Sequence, residues 1–357
     1  MEKEKSSKKY EVLRDELLDY IKKNNLKQND KLPTVRELIK NSDFSYATVH
    51  RTLIEMENDG FITRHQGKGL YVNNVKSKSD DKQVALIIPN HFSSHKIFID
   101  VLNGVRVALE KAKIGLLISI SNMSHEREKE TIEKLISKHI DGIIIFLEDN
   151  YRKDYSHIVE LKERNFPFVL IDRFIPELET DYVVVNNADT MVRICSYLKY
   201  NQKCDKIVFV PEYQGSNSIS SSIEKVDGFR QAMKMLYGND EGTILSFEEL
   251  VEELEPLCSA YKNVGISMNH DTMITEFFQF LKDKNKILPA NCHIFGYNNS
   301  FETPIYPTVE QFNELVGQKA AEILIEKMKD PLKKPVQVKI EPKLILPDGE
   351  GGYYMEN

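Results

Sequence analysis

The sequence predicts an α/β protein in two parts: a small N-terminal unit of helices closed by a β-hairpin, and a larger two-lobed body of parallel sheets. Three observations predict this. Between Asp30 and Val72, two capped helical patterns precede two short β-rich runs around a glycine-containing turn. From Val84 onward, short continuous apolar runs alternate with helical spacing, as expected for strands buried on both faces of a parallel sheet. That alternation occurs twice, which suits a chain of 357 residues with two or three domains.

In the first unit, Tyr10 to Asn24 is a helix with Leu13, Leu17 and Ile21 on one side. Thr34 caps the next helix, and Glu37 completes a capping box. Ser45 caps a third helix, whose Val49, Leu53 and Met56 share one apolar face, and Gly60 stops it. Strands Phe61 to Arg64 and Leu70 to Val72 enclose the turn His65-Gln66-Gly67-Lys68-Gly69. The pattern is that of a winged helix-turn-helix. The start of the third helix, with Ser45, Tyr46, Ala47, Thr48, His50 and Arg51, fits a DNA major groove. The hairpin tip, with Gln66, Gly67 and Lys68, fits beside it. Arg36 and Lys68 are the expected phosphate contacts, while Tyr46 and His50 either read base edges or fill the groove.

Asn73 to Lys82 is polar, lacks apolar periodicity and reads as a linker. In the body, strand Val84 to Ile88 leads to helical spacing over Ile97 to Lys111, then strand Gly115 to Ile120 and helix Glu126 to Lys138. Strand Gly142 to Phe146, helix Ser156 to Arg164 and strand Phe168 to Ile171 complete the first set. The second set opens with helix Ala188 to Tyr200, strand Lys206 to Val210, helix Ile223 to Leu236 and strand Thr243 to Phe247. Strand Val264 to Met268, helix Thr272 to Lys284 and strand Cys292 to Tyr297 follow. A ligand is expected between the lobes, beyond the carboxyl ends of the strands.

The net charge of −7 is unevenly spread. Residues 1–82 hold 17 Lys and Arg against 14 Asp and Glu, and the remainder holds 31 against 41. Only the head is therefore expected to meet phosphates. The four cysteines show no short paired spacing, which suits a reducing compartment. With no secretory h-region and no apolar run near the ~20 residues that span a bilayer, a cytoplasmic protein without a membrane partner is expected. Gly-x-Ser-x-Gly, His-Glu-x-x-His and Walker patterns are absent, and His and Cys lack metal spacing. Neither catalysis, nor a cofactor, nor a metal is expected.

Residues 8–75 resemble the DNA-binding head of the GntR family of bacterial transcription regulators. The resemblance rests on Tyr10, Leu17, Ile21, the Leu32-Pro33-Thr34-Val35-Arg36-Glu37-Leu38 run, Ser45, Thr48-Val49, Leu53, Gly60-Phe61-Ile62 and Gly67-Lys68-Gly69. That family usually has Arg at the positions of Tyr46 and His50; this chain has Arg51 one residue later. Residues 84–346 are similar to the periplasmic-binding-protein-like effector domain of the LacI/galactose-repressor family. The matching segments are Asn103-Gly104-Val105, Ile140 to Ile144, Phe166 to Arg173, Val183 to Asn187 and Asp227-Gly228-Phe229. Asn269-His270-Asp271, Phe295 to Asn298 and Pro307 to Gln311 continue the series. Together the two resemble the arabinose-repressor-like subgroup. That resemblance implies a homodimeric repressor on pseudo-palindromic double-stranded operator DNA, released by a sugar or related effector. A sugar-binding protein of the transport type, or an enzyme on the same scaffold, are the alternatives.

Polyhydroxylated ligands need fixed carboxylates, amides and cations beside an aromatic face. Residues past strand ends can supply them: Asn90, His91 and Phe92, with Phe98 opening the helix, then Ser121 and Asn122, then Glu148. Asp172 and Arg173 match the family's ligand-facing Leu-Ile-Asp-Arg. Lys225 stands where the family often has a gripping Arg, Asn298 where Asp is usual and His270 where Asn is common. Lys offers a point charge in place of a fork, so the expected effectors extend to sugar phosphates and sugar acids. The expected division is a head over 1–74, a linker over 75–83, an effector body over 84–346 and a tail over 347–357. Within the body, one lobe takes approximately 84–185 plus 299–330, and the other 186–298 plus 331–346.

Overall fold

The computed structural model describes residues 2–40, 44–58, 60–65, 68–73, 82–89, 96–122, 124–148, 154–212, 219–238, 242–301 and 304–356, with side chains at all of these except 2–11, 22 and 58. The chain divides into two compact units, Met1–Asp81 and Lys82–Asn357.

The first unit holds α1 (Glu2–Lys23), α2 (Val35–Lys40), α3 (Tyr46–Asn58) and the antiparallel pair β1 (Ile62–His65) and β2 (Gly69–Val72). Thr34 and Glu37 form the reciprocal box: the Glu37 carboxylate accepts from the Thr34 N–H at 2.7 Å, and Thr34 Oγ1 accepts from the Glu37 N–H at 3.3 Å. Ser45 Oγ accepts the Thr48 N–H at 3.2 Å. A cap of this kind contributes about 1 kcal/mol. Gly60, at φ 77°, makes the left-handed turn after α3. Leu13, Leu17 and Ile21 of α1 pack with Val49, Leu53 and Met56 of α3 and with Ile62 and Val72 of the hairpin in one core. α1 starts well before the expected Tyr10, because Glu, Lys and Ser continue a helix without an apolar stripe to announce it.

The second unit contains two parallel sheets. The first has the order β13-β7-β6-β5-β3-β4, built from β3 (Gln83–Ile88), β4 (Gly115–Ile120), β5 (Gly142–Phe146), β6 (Phe168–Ile171), β7 (Tyr182–Val185) and β13 (Gln337–Ile340). Alternate residues of β3 serve opposite faces. Val84, Leu86 and Ile88 enter the core under α4 (Lys96–Lys111) and α11 (Asn313–Lys329). Ala85 and Ile87 enter the core under α5 (His125–Ser137) and α6 (Ser156–Glu163). The second sheet, ordered β11-β10-β8-β9, is built from β8 (Lys206–Val210), β9 (Thr243–Ile244), β10 (Val264–Met268) and β11 (Cys292–Phe295). It is flanked by α7 (Asn187–Tyr200), α8 (Ser220–Tyr237), α9 (Phe247–Ala260) and α10 (Asp271–Asp283). A small antiparallel sheet of β12 (Thr308–Glu310), β14 (Lys343–Pro347) and β15 (Tyr353–Met355) packs on this lobe through Val309, Leu344 and Leu346. No described helix is long and apolar enough to cross a membrane.

Three differences from the expected division are structural. Residues 337–340, assigned above to the second lobe, form β13 and pair with β7 in the first sheet. Residues 308–310, assigned to the first lobe, belong with the second. The expected tail includes β15, which extends the small sheet. In addition, the expected strand Thr243 to Phe247 ends at Ile244. Ser246 and Glu249 form a capping box that starts α9, so Phe247 opens a helix. The structure thus has a helix where the sequence reading had none.

Candidate functional site

The first candidate surface is the start of α3 with the wing. Tyr46 is 63% exposed, and its ring stacks on His50 with centroids 5.6 Å apart. Arg36, Ala47, Arg51 and Lys68 are exposed. No acidic side chain lies in the first turn of α3, so the positive end of the helix is not neutralised there. Ser45 Oγ also lies 2.9 Å from Thr48 Oγ1, so both hydroxyls are engaged in the cap. Arg51 Nε pairs with Glu55 at 2.9 Å. An exposed i,i+4 pair of this kind is worth about 0.3–0.5 kcal/mol, little enough for a phosphate to displace it. Arg64, passed over in the sequence, bridges Glu57 at 3.1 Å and the His50 carbonyl at 3.5 Å, tying β1 to α3. Gln66 and Gly67 lie outside the described residues.

The second site is a cavity of about 730 Å³ walled by both parallel sheets. Phe146 of β5, Asp172 and Arg173 after β6, and Val185 at the end of β7 come from one side. Glu212 after β8, Phe247 and Glu248 after β9, Asn269 and His270 after β10, and Asn298 after β11 come from the other. These are carboxyl ends of strands, where an α/β sheet leaves side chains and helix starts open to a ligand.

Local geometry explains how each polar group is held. Asp172 takes a left-handed φ of 64°, and the Arg173 N–H donates to the Ile171 carbonyl at 2.7 Å. This tight turn sends the Arg173 side chain inward. Its Nη1 donates to the Leu147 carbonyl at 2.6 Å, its Nε lies 3.3 Å from Asp172 Oδ2, and the guanidinium sits 5.2 Å from the centre of the Phe146 ring. Lys225 is buried, donates to the Asn269 carbonyl at 3.0 Å and lies 3.8 Å from the centre of the Tyr297 ring. Burial pulls its pKa down to about 8, against the opposing pull of Asp172, Glu212 and Asp271.

His270 caps α10. Its Nδ1 accepts from the Met273 N–H at 3.2 Å and from the Thr272 hydroxyl at 2.5 Å, which leaves the proton on Nε2, 3.7 Å from Glu212 Oε1. Burial raises the Glu212 carboxyl, but the His270 hydrogen bond and the charges of Arg173 and Lys225 outweigh it and hold the group below its usual value. Glu212 also accepts from Asn269 Nδ2 at 3.3 Å, while the buried Asn269 Oδ1 makes no hydrogen bond among the described residues. That oxygen is an acceptor available to a ligand hydroxyl. Behind the wall, Asp271 takes the Tyr297 and Ser300 N–H groups at 2.9 and 2.8 Å and the Thr308 hydroxyl at 2.9 Å, which fixes the loop bearing Asn298. Position 296 must be glycine for this, since a Cβ there would stand 2.0 Å from Asp271 Oδ1.

Of the effector-contact residues expected from the sequence, Asp172, Arg173, Lys225, His270 and Asn298 line the cavity. Phe98, Ser121 and Glu148 do not. Phe98 lies in the core under α4, and Ile97, rotated about 100° around the helix, faces the cavity in its place. Ser121 donates to Glu148 and to the Ile88 carbonyl, and the Glu148 N–H donates to Glu128 at 3.1 Å. For Ser121 the reason is strand order, since it follows β4, the edge strand farthest from β7 and the cavity, whereas Glu148 follows β5 and is buried in its pairing with Ser121. Asn90, His91 and Phe92 lie outside the described residues. Glu212 was missed, although it sits just past a strand that the sequence shows. Phe247 and Glu248 were hidden by the incorrect strand assignment.

Residues 9–72 match the bacterial regulatory proteins of the gntR family. Over 172 residues the chain is 28% identical to the arabinose metabolism transcriptional repressor of Geobacillus stearothermophilus, covering 48% of this chain and 47% of that protein, about half of each. Over 309 residues it is 22% identical to the arabinose metabolism transcriptional repressor of Halalkalibacterium halodurans, covering 82% and 81%. The structure superposes with a TM-score of 0.57 and 20% identity on a LacI family transcriptional regulator from Enterococcus faecium with bound ribose, covering 74% of this chain and 96% of that one. The chain is thus similar to arabinose metabolism transcriptional repressors, with residues 9–72 matching the gntR family and a second unit that has the fold of a LacI family transcriptional regulator.

Proposed function

We propose that the protein is a cytoplasmic repressor, acting as a homodimer on operator DNA, whose grip on DNA is relaxed when a neutral sugar fills the cavity between its two parallel sheets. The observation that carries this reading is the cavity wall: carboxylates, amides, an arginine and apolar side chains gathered from the strand ends of both sheets around about 730 Å³. A ligand touching both walls favours one lobe arrangement, and a shift of that equilibrium is the means by which occupancy reaches the heads.

The wall favours a neutral ligand over the phosphates and acids admitted by the sequence. Asp172, Glu212, Glu248 and Glu276 line it against Arg173 and Lys225. Lys225 is already bonded to the Asn269 carbonyl and stacked on Tyr297, so it supports the wall and does not offer an open cationic grip. An added anion would meet uncompensated carboxylates.

Dimerisation finds support in the edge strand β4. Leu117, Ile118 and Ile120 are 42%, 46% and 43% exposed, and Leu117 and Ile118 project from opposite faces, so a long apolar edge stands uncovered in one chain. The test is fluorescence anisotropy on a duplex recovered by selection from random sequence, with and without a panel of pentoses and hexoses. The reading expects one of them to raise the operator Kd at least about tenfold. It fails if no duplex is enriched or if no sugar changes the affinity.

A further inference from the structure

A cluster in the first lobe, away from the cavity, has no part in the reading above. We infer that His125, Glu128 and His157 bind one divalent transition-metal ion of the zinc class. His125 opens α5, and Glu128 lies one turn further on the same helix face. His157, near the start of α6, is brought against them. One ligand atom from each of the three residues lies within 4.8 Å of the other two. His157 Nε2 is 2.8 Å from Glu128 Oε1, and the two imidazole rings meet edge to face with centroids 4.9 Å apart. Ligands held ~2.0–2.2 Å from a tetrahedral ion stand roughly 3.3–3.5 Å from one another, so small side-chain movements close the set.

The hydrogen-bond pattern distinguishes this cluster from a merely structural ion pair. Glu128 is fully buried, and it accepts from His157 and from the Glu148 N–H at 3.1 Å. A structural pair at that depth is expected to have its remaining polar atoms satisfied. Here, among the described residues, His157 Nδ1 and His125 Nδ1 are buried without a hydrogen bond, in residues only 3% and 14% exposed at the side chain. Imidazole nitrogens left bare in this way are the commonest metal donors. Asp154 Oδ2 lies 3.3 Å from His125 Nε2, in the outer position from which a carboxylate orients a metal-bound imidazole. Two nitrogens and one carboxylate oxygen suit zinc or its neighbours and leave a fourth position for water. The sequence concealed the set because His157 is 29 residues from Glu128. Such an ion would pin α5 to α6, and the inference is independent of the effector reading.

The test uses the full chain, prepared without a polyhistidine tag, stripped with a chelator and titrated with Co²⁺ while the visible d–d absorption is followed. Zn²⁺ is then added as competitor. One Co²⁺ per chain with the strong bands of a tetrahedral site is expected, displaced by Zn²⁺. His125→Asn, at the partly exposed ligand, should keep the far-UV spectrum and lose at least about tenfold in affinity. His125→Cys should retain the ion and gain a thiolate-to-cobalt charge-transfer band, which no purely structural role would produce. Absence of d–d bands in the wild type, or equal affinity in His125→Asn, overturns the inference.

Discussion

The ammonium of Lys225 lies 3.8 Å from the centre of the Tyr297 ring while donating to the Asn269 carbonyl at 3.0 Å, so one buried cation joins β11 to the strand end that presents Asn269 and His270. Lys225 therefore acts on the ligand through the wall it holds. In Lys225→Met, which keeps the length and packing of the side chain, the effector Kd should rise about tenfold or more, with operator affinity in the absence of sugar unchanged. Titration calorimetry and anisotropy on the same preparation check both halves.

The head should separate affinity from selectivity. Arg36 and Lys68 are exposed and are the expected phosphate contacts. Arg36→Ala and Lys68→Ala should each weaken binding to all duplexes alike and lower the slope of log K against log salt by about 1. His50, stacked on Tyr46, is half-buried near the helix start. His50→Ala should change which base is preferred at one position, as read by selection from a randomised duplex. A Lys68 variant with an unchanged salt slope would remove the wing from the interface.

The uncovered β4 edge predicts the association state. Ile118→Asp places a carboxylate in the middle of that edge, and light scattering should show a dimer for the wild type and a monomer for the variant. Sugar binding, measured per chain, should survive, because β4 stands at the far end of the sheet from the cavity.

Asp271 gives a pH signature. Burial raises its pKa to about 6 from an ordinary value near 3.8, outweighing the hydrogen bonds from Ser300, Thr308 and Tyr297. A group whose folded pKa is raised contributes stability that is fully present below the unfolded value and is lost as pH rises through the folded one. The wild type should therefore lose up to about 3 kcal/mol from this group between about pH 4 and 6. Denaturant midpoints of wild type and Asp271→Asn should differ in slope across that window. Parallel profiles would mean that Asp271 stays ionised when folded.

What the sequence disclosed follows from how local each signal is. Thr34 with Glu37, and Ser45 with Thr48, are contacts three residues apart, so the head could be read almost element by element. Strands β3, β5 and β6 announced themselves as apolar runs because both of their faces are buried. By contrast, β13 has only Ile340 deeply buried and pairs with a strand from a distant part of the chain, so nothing local marks it. The same limit divided the site. Asp172 and Arg173 follow from the rule that ligands sit past strand ends, while His270 and Asn298 come from the family resemblance. The strand-end rule also admitted Ser121, because the order of strands across a sheet decides which ends face the cleft, and that order is not written in any one segment. Glu148 lies past β5, whose Phe146 lines the cavity, but its carboxylate is taken by Ser121. Ser246 and Glu249, a visible cap, were the one local signal left unused.

The central claim, that occupancy of the cavity sets the grip on DNA, is tested most directly by titration calorimetry of the effective sugar into the full-length protein, alone and saturated with its operator duplex. Coupling between two sites is reciprocal. If the sugar weakens operator binding tenfold or more, the operator must weaken sugar binding by the same factor. Equal sugar affinities in the two titrations would contradict the account.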